Sequence, residues 1–125
     1  MSSRDDSTNV LVPRAATLDG FAAMVAASDG VHLHELDPLT TLLVTTCNSL
    51  YRIIVSRRSA ILVQGGHFFP EMTEGHLQGS SLGGSFLKVA WIGIGLRMEI
   101  CAGGQRIVTS PVRAIARETG TERLH

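Results

Sequence analysis

From residue 41 onward the apolar positions fall into short β-branched runs cut by glycine, proline and small polar residues. TLLVTTC at 41–47 and YRIIVS at 51–56 flank Asn48-Ser49-Leu50, whose first two side chains can bond nearby backbone amides and hold a turn. Arg57-Arg58-Ser59 leads to AILVQ at 60–64, which Gly65-Gly66 stops. HFFPEMTEG at 67–75 reads as an ordered loop, because Pro70 cannot donate in a central strand. FLKVAWIGI at 86–94 reads as one strand, with Trp91 in the core, and LRMEIC at 96–101 as the next. The latter alternates, with Leu96, Met98 and Ile100 on one face and Arg97, Glu99 and Cys101 on the other. Gly103-Gly104 predicts a hairpin into QRIVT at 105–109, since a primed turn needs positive φ at both central residues. Pro111 then interrupts, and VRAIA at 112–116 either closes the sheet or begins a terminal helix. Six or more short strands with this punctuation predict an all-β fold, a small barrel or a sandwich of antiparallel strands. A barrel removes the edges that such apolar strands otherwise expose.

The residues ahead of this body have a different texture. Residues 1–16 form a polar leader, expected to be disordered. In 17–28 Leu18, Phe21, Met24 and Val25 recur at helical spacing behind a Thr17 N-cap, which predicts a short helix. An acidic linker completes residues 17–40, the β-domain is expected over 41–117, and 118–125 form a flexible tail.

At 125 residues the chain has room for one modest core, which excludes a multidomain enzyme. Its 44% apolar and 18% charged residues argue against both a wholly disordered chain and a membrane protein. Two cysteines, Cys47 and Cys101, are too sparse for a disulfide scaffold, although one long-range bridge stays open. Without a basic segment ahead of an apolar run, the expected compartment is the cytoplasm. The zero net charge hides an asymmetry. Residues 1–40 carry two arginines against six carboxylates, net −4, whereas 41–117 carry eight cations against three carboxylates, net +5. An acidic leader therefore precedes an arginine-rich body.

Several motifs carry possible chemistry. Gly79-Ser80-Ser81-Leu82-Gly83 matches G-x-S-x-G, but a nucleophile elbow needs a helix after the serine, and here an apolar strand follows. A glycine-rich bend is the better reading. No lysine follows the second glycine as a phosphate loop requires, and Gly93-Ile94-Gly95 lacks the third glycine of a dinucleotide fingerprint. His67, Glu71, Glu74 and His76 place two imidazoles and two carboxylates within ten residues, a donor set suited to a divalent metal such as zinc or iron. His32-Leu33-His34-Glu35 adds a second histidine pair, on one face if the segment is extended. The competing reading of both sets is solvated loop residues. Arg52, Arg57 and Arg58 flank one predicted turn and suit phosphate contacts, although exposed stacking aromatics are scarce.

Asn48-Ser49-Leu50-Tyr51, Gly65-Gly66 with Phe68-Phe69-Pro70, the 79–85 glycine-serine run, Leu96-Arg97-Met98-Glu99 and Thr109-Ser110-Pro111-Val112 together form one pattern. It resembles that of a group of small bacterial proteins without an assigned activity, and covers roughly the second half of the chain. The resemblance implies a compact β-domain and carries over no catalytic residue, cofactor or partner. The expected function is therefore a non-enzymatic binding or self-association domain whose partner is a second copy or another protein. A nucleic-acid module on Arg52, Arg57 and Arg58 and a metal-dependent β-barrel enzyme on the His67–His76 set are the alternatives.

Overall fold

The computed structural model describes residues 29–84 and 86–118, together with Leu18, Gly20, Ala22 and Ala23. Those four are helical; the rest of the helix expected over 17–28, the leader, and the tail after Glu118 lie outside the described residues.

The described residues are all-β. In chain order the strands are β1 (Gly30–His32), β2 (Thr41–Thr46), β3 (Leu50–Arg57), β4 (Ala60–Gly65), β5 (Phe69–Ser81), β6 (Leu87–Val89), β7 (Trp91–Gly93), β8 (Arg97–Ala102) and β9 (Gln105–Glu118). Seven of them form one antiparallel sheet in the order β4-β3-β2-β9-β8-β5-β6, and β1 pairs with β7 in a separate two-stranded ladder. β5 also pairs with β4, so the hydrogen bonding returns on itself through six strands. His76 marks the seam: it stands opposite Ala60 of β4 and Cys101 of β8. β9 makes the corresponding turn on the other side, pairing with β8 up to Pro111 and with β2 from Val112.

Two prolines sit where the reading of the sequence had no strand. The 67–75 stretch is mostly the first part of β5, not a loop. Pro70 fits because it falls where the ladder to β4 skips, between the Gly65–Phe69 and Val63–Thr73 pairs, so no ladder donor is needed from it. Pro111 likewise lies beside register shifts on both sides, and β9 runs through it as one 14-residue strand, with no terminal helix over 112–116. The 86–94 run is two strands, broken at Ala90, where φ is +57° and the N–H donates to Gln78 O at 3.0 Å. Trp91 is half-buried, not a core residue. The Gly103-Gly104 hairpin has the expected backbone, with φ of +59° and +79°.

Period-two alternation places Leu42 and Val44 of β2, Ile53 and Val55 of β3, and Ile61 and Val63 of β4 on the inner face, where all are buried. Met98 and Ile100 of β8 and Val112 of β9 meet them. The β structure begins ahead of Thr41. His32 ends β1, and Leu33, in the 3₁₀ turn Leu33–Glu35, is fully buried in the same core, its N–H donating to Ala90 O at 2.8 Å. Each such side chain contributes about 1.5–3 kcal/mol by leaving water. No helix among the described residues is long and apolar enough to cross a membrane.

Candidate functional site

Two chain turns and a register step in β9 converge on one cleft. The β2–β3 turn is built by Thr46, whose buried hydroxyl donates to Ser49 O at 3.2 Å and accepts the Ser49 and Asn48 N–H groups at 3.0 and 3.3 Å. The Asn48 N–H also reaches Ser110 Oγ, at 3.2 Å, which ties this turn to the step in β9. That step is held by Thr109, whose hydroxyl accepts the Met98 N–H at 3.0 Å and donates to Ser110 O at 2.8 Å. The β4–β5 turn adds His67 and Phe68, their rings edge to face at 5.9 Å. Between them lies a cleft of about 290 Å³ lined by Asn48, Ser49, Tyr51, His67, Phe68, Arg97, Val108, Thr109 and Ser110.

Arg97 gives the cleft its charge. As the first residue of β8 it is half-buried, and its Nη1 donates to Thr109 O at 3.3 Å. It has no carboxylate partner among the described residues, and no Asp or Glu lines the cleft. Burial pushes the Tyr51 phenol above its ordinary pKa, with a hydrogen bond to Ser49 offsetting part of the shift. Arg97 is not singled out as a site residue by the sequence; its only signal is its place in the motif pattern.

A second, open cleft of about 570 Å³ lies at the β4–β5–β8 seam, lined by residues that include Glu74, His76 and Cys101. The four residues of the expected metal set are thus spread apart. His67 lines the first cleft, Glu74 and His76 the second, and Glu71 neither; all four are exposed. No group of three or more His, Cys, Asp or Glu among the described residues is placed to hold a metal ion. His32 and His34 have rings 5.1 Å apart, but the segment turns into the 3₁₀ turn instead of staying extended. The two cysteines are free thiols, Cys47 beside Arg113 and Cys101 opposite His76.

The arginine trio divides as well. Arg57 and Arg58 are exposed at the β3–β4 turn, whereas Arg52 pairs with Glu118 across the sheet at 3.5 Å. In the G-x-S-x-G stretch Ser81 is fully buried. Its hydroxyl donates to Glu99 Oε2 and accepts the Gly83 N–H at 3.0 Å. Arg106 closes on the same carboxylate through Nη2 at 2.8 Å and Nε at 3.0 Å. The Ser81 hydroxyl is thus held by a buried carboxylate that Arg106 clamps from the other side.

The remaining feature is apolar. The outer face of β2, β3 and β4 carries apolar side chains among polar ones: Leu43, Ile54 and Leu62 are half-buried there and Leu50 is 55% exposed, alongside Thr41, Thr45, Arg52, Ser56 and Gln64. Ile54 stands opposite Leu62, and Leu62 opposite Glu74; Leu43 stands opposite Arg52. No family model, curated protein or solved structure matches the chain.

Proposed function

We propose that the protein is a non-enzymatic, cytoplasmic binding domain that acts by self-association, with its six-strand ring folded as a small barrel. The observation that carries this reading is the group of apolar side chains on the outer face of β2–β4. A strand with one face in a core and the other in water alternates apolar with polar, whereas strands covered on both faces are apolar throughout. Leu43, Leu50, Ile54 and Leu62 bring apolar side chains to a face that would otherwise be polar. Arg52, paired with Glu118, stands within this face opposite Leu43, and Glu74 borders it opposite Leu62. A two-fold contact sets the same patch against itself, so a face that carries both signs beside apolar side chains suits a self-complementary contact. The buried polar side chains support association over turnover, because Ser81, Glu99, Thr46 and Thr109 are each engaged in bonds that hold the fold.

Sedimentation velocity on the full chain over a wide concentration range tests this. The expected result is a concentration-dependent dimer that Ile54→Lys and Leu62→Glu, both outward-facing, convert to a folded monomer. A wild-type chain that stays monomeric overturns it. The exposed Arg57 and Arg58 turn supports a second reading, nucleic-acid contact, which requires binding that weakens steeply with salt.

A further inference from the structure

We propose that the Arg97 cleft is a binding site for a small oxyanion, a carboxylate or a phosphate, carried on a flat apolar body. The donor inventory leads there. Arg97 offers five N–H groups, and among the described residues only the one on Thr109 O is engaged. The Ser110 oxygen is occupied by the Asn48 N–H, which leaves its own hydrogen to give. The exposed His67 imidazole and the Asn48 side-chain amide complete a lining rich in donors that contains no carboxylate. A half-buried guanidinium without a counter-ion among the described residues, framed by neutral donors, is matched by a planar oxyanion that accepts two parallel N–H bonds.

The apolar half of the ligand follows from Phe68. Its side chain is among the large hydrophobics left in water, at 54% exposure, and His67 stands edge-on to its ring. A flat body that covers this ring removes apolar area from water beside the anion contact. The volume of about 290 Å³ suits a ligand of one or two rings. The frame is set before binding, because Thr46, Asn48, Thr109 and Ser110 are cross-bonded, so little ordering cost falls on the complex. The site shares no residue with the outer apolar face, and each proposal stands or falls without the other.

The test is amide chemical-shift mapping of the full, isotope-labelled chain titrated with phenyl phosphate, benzoate and inorganic phosphate at millimolar concentration. Phenyl phosphate or benzoate is expected to give saturable shifts confined to Asn48, Phe68, Arg97, Thr109 and Ser110. A tighter response to phenyl phosphate identifies the anion as phosphate, and a tighter response to benzoate as carboxylate. Arg97→Gln is expected to weaken binding about tenfold or more, one decade being about 1.4 kcal/mol. Phe68→Ala is expected to weaken the aryl probes and leave inorganic phosphate unchanged. His67→Gln provides a second variant if Arg97→Gln does not fold. Absence of saturable shifts with all three probes overturns the proposal. So does undiminished binding by a folded Arg97→Gln chain or, where that chain does not fold, by the His67→Gln chain.

Discussion

Ser81 and Glu99 meet across the β5–β8 pairing, 18 residues apart in sequence, with the serine hydroxyl donating to a carboxylate that is almost wholly buried. A buried carboxylate needs its acceptors filled, and here a serine and an arginine do it. Ser81→Ala is expected to destabilise the fold by about 2 kcal/mol, the scale of a hydrogen bond to a charged group. Arg106 is more than half exposed, so Arg106→Ala is expected to cost about 1 kcal/mol or less. Urea unfolding of Ser81→Ala, Glu99→Gln and the double variant measures the coupling. Strict additivity would show that the pair is not a stabilising contact.

Gly79 and Gly84 bracket the same stretch and differ in what surrounds them. A Cβ on Gly79 falls 2.0 Å from Lys88 O, at a φ of +150° that disfavours other residues, whereas a Cβ on Gly84 meets nothing within 4 Å. Gly79→Ala is expected to cost about 3 kcal/mol and Gly84→Ala to stay within about 0.5 kcal/mol. Thermal melts of the two variants check the contrast; similar melting temperatures would refute it.

Where local pattern and tertiary structure agree, the fold was legible. The runs at 41–47, 51–56 and 60–64 became β2, β3 and β4 within a residue or two, because β-branched alternation and glycine stops act locally. Pro70, Pro111 and Ala90 went otherwise for one physical reason. Whether a strand continues through a proline, or breaks at an alanine, depends on the neighbouring strand's register. The cleft was illegible for a similar reason: Asn48, Phe68, Arg97 and Ser110 meet only after the turns between four strands are placed. Asn48 and Ser49 have side chains suited to holding the β2–β3 turn, yet the hydroxyl bonded to their amides belongs to Thr46. That threonine lies on the inner face of a strand, where periodicity predicts a core residue and says nothing of a hydrogen bond.

Thr109 substitutes for a ladder acceptor at the point where β8 and β9 lose register, taking the Met98 N–H on its hydroxyl. Thr109→Val keeps the volume and removes the acceptor, leaving a buried N–H unpaired. The expected cost is about 1–3 kcal/mol, with faster hydrogen exchange at the Met98 amide. Thr109→Ser retains the hydroxyl and is expected to keep that amide protected. Equal protection of Met98 in Thr109→Val and wild type would show that the hydroxyl does not carry the bond.

Tyr51 is the chain's single tyrosine, so tyrosinate absorbance reports it alone. Desolvation by burial raises its pKa above the ordinary 10.0, and the Ser49 hydrogen bond acts in the opposite direction without cancelling it. The folded state therefore holds the phenolic proton more tightly than the unfolded chain does. The stabilising term is whole below pH about 10, and is lost as pH rises from there through the folded value. In Tyr51→Phe that part of the alkaline loss disappears. The measurement is a pair of urea stability curves against pH for the two proteins, with the absorbance titration of the wild type alongside. Parallel curves above pH about 10 would mean that Tyr51 ionises alike in both states, and that its ring is not desolvated beneath the cleft.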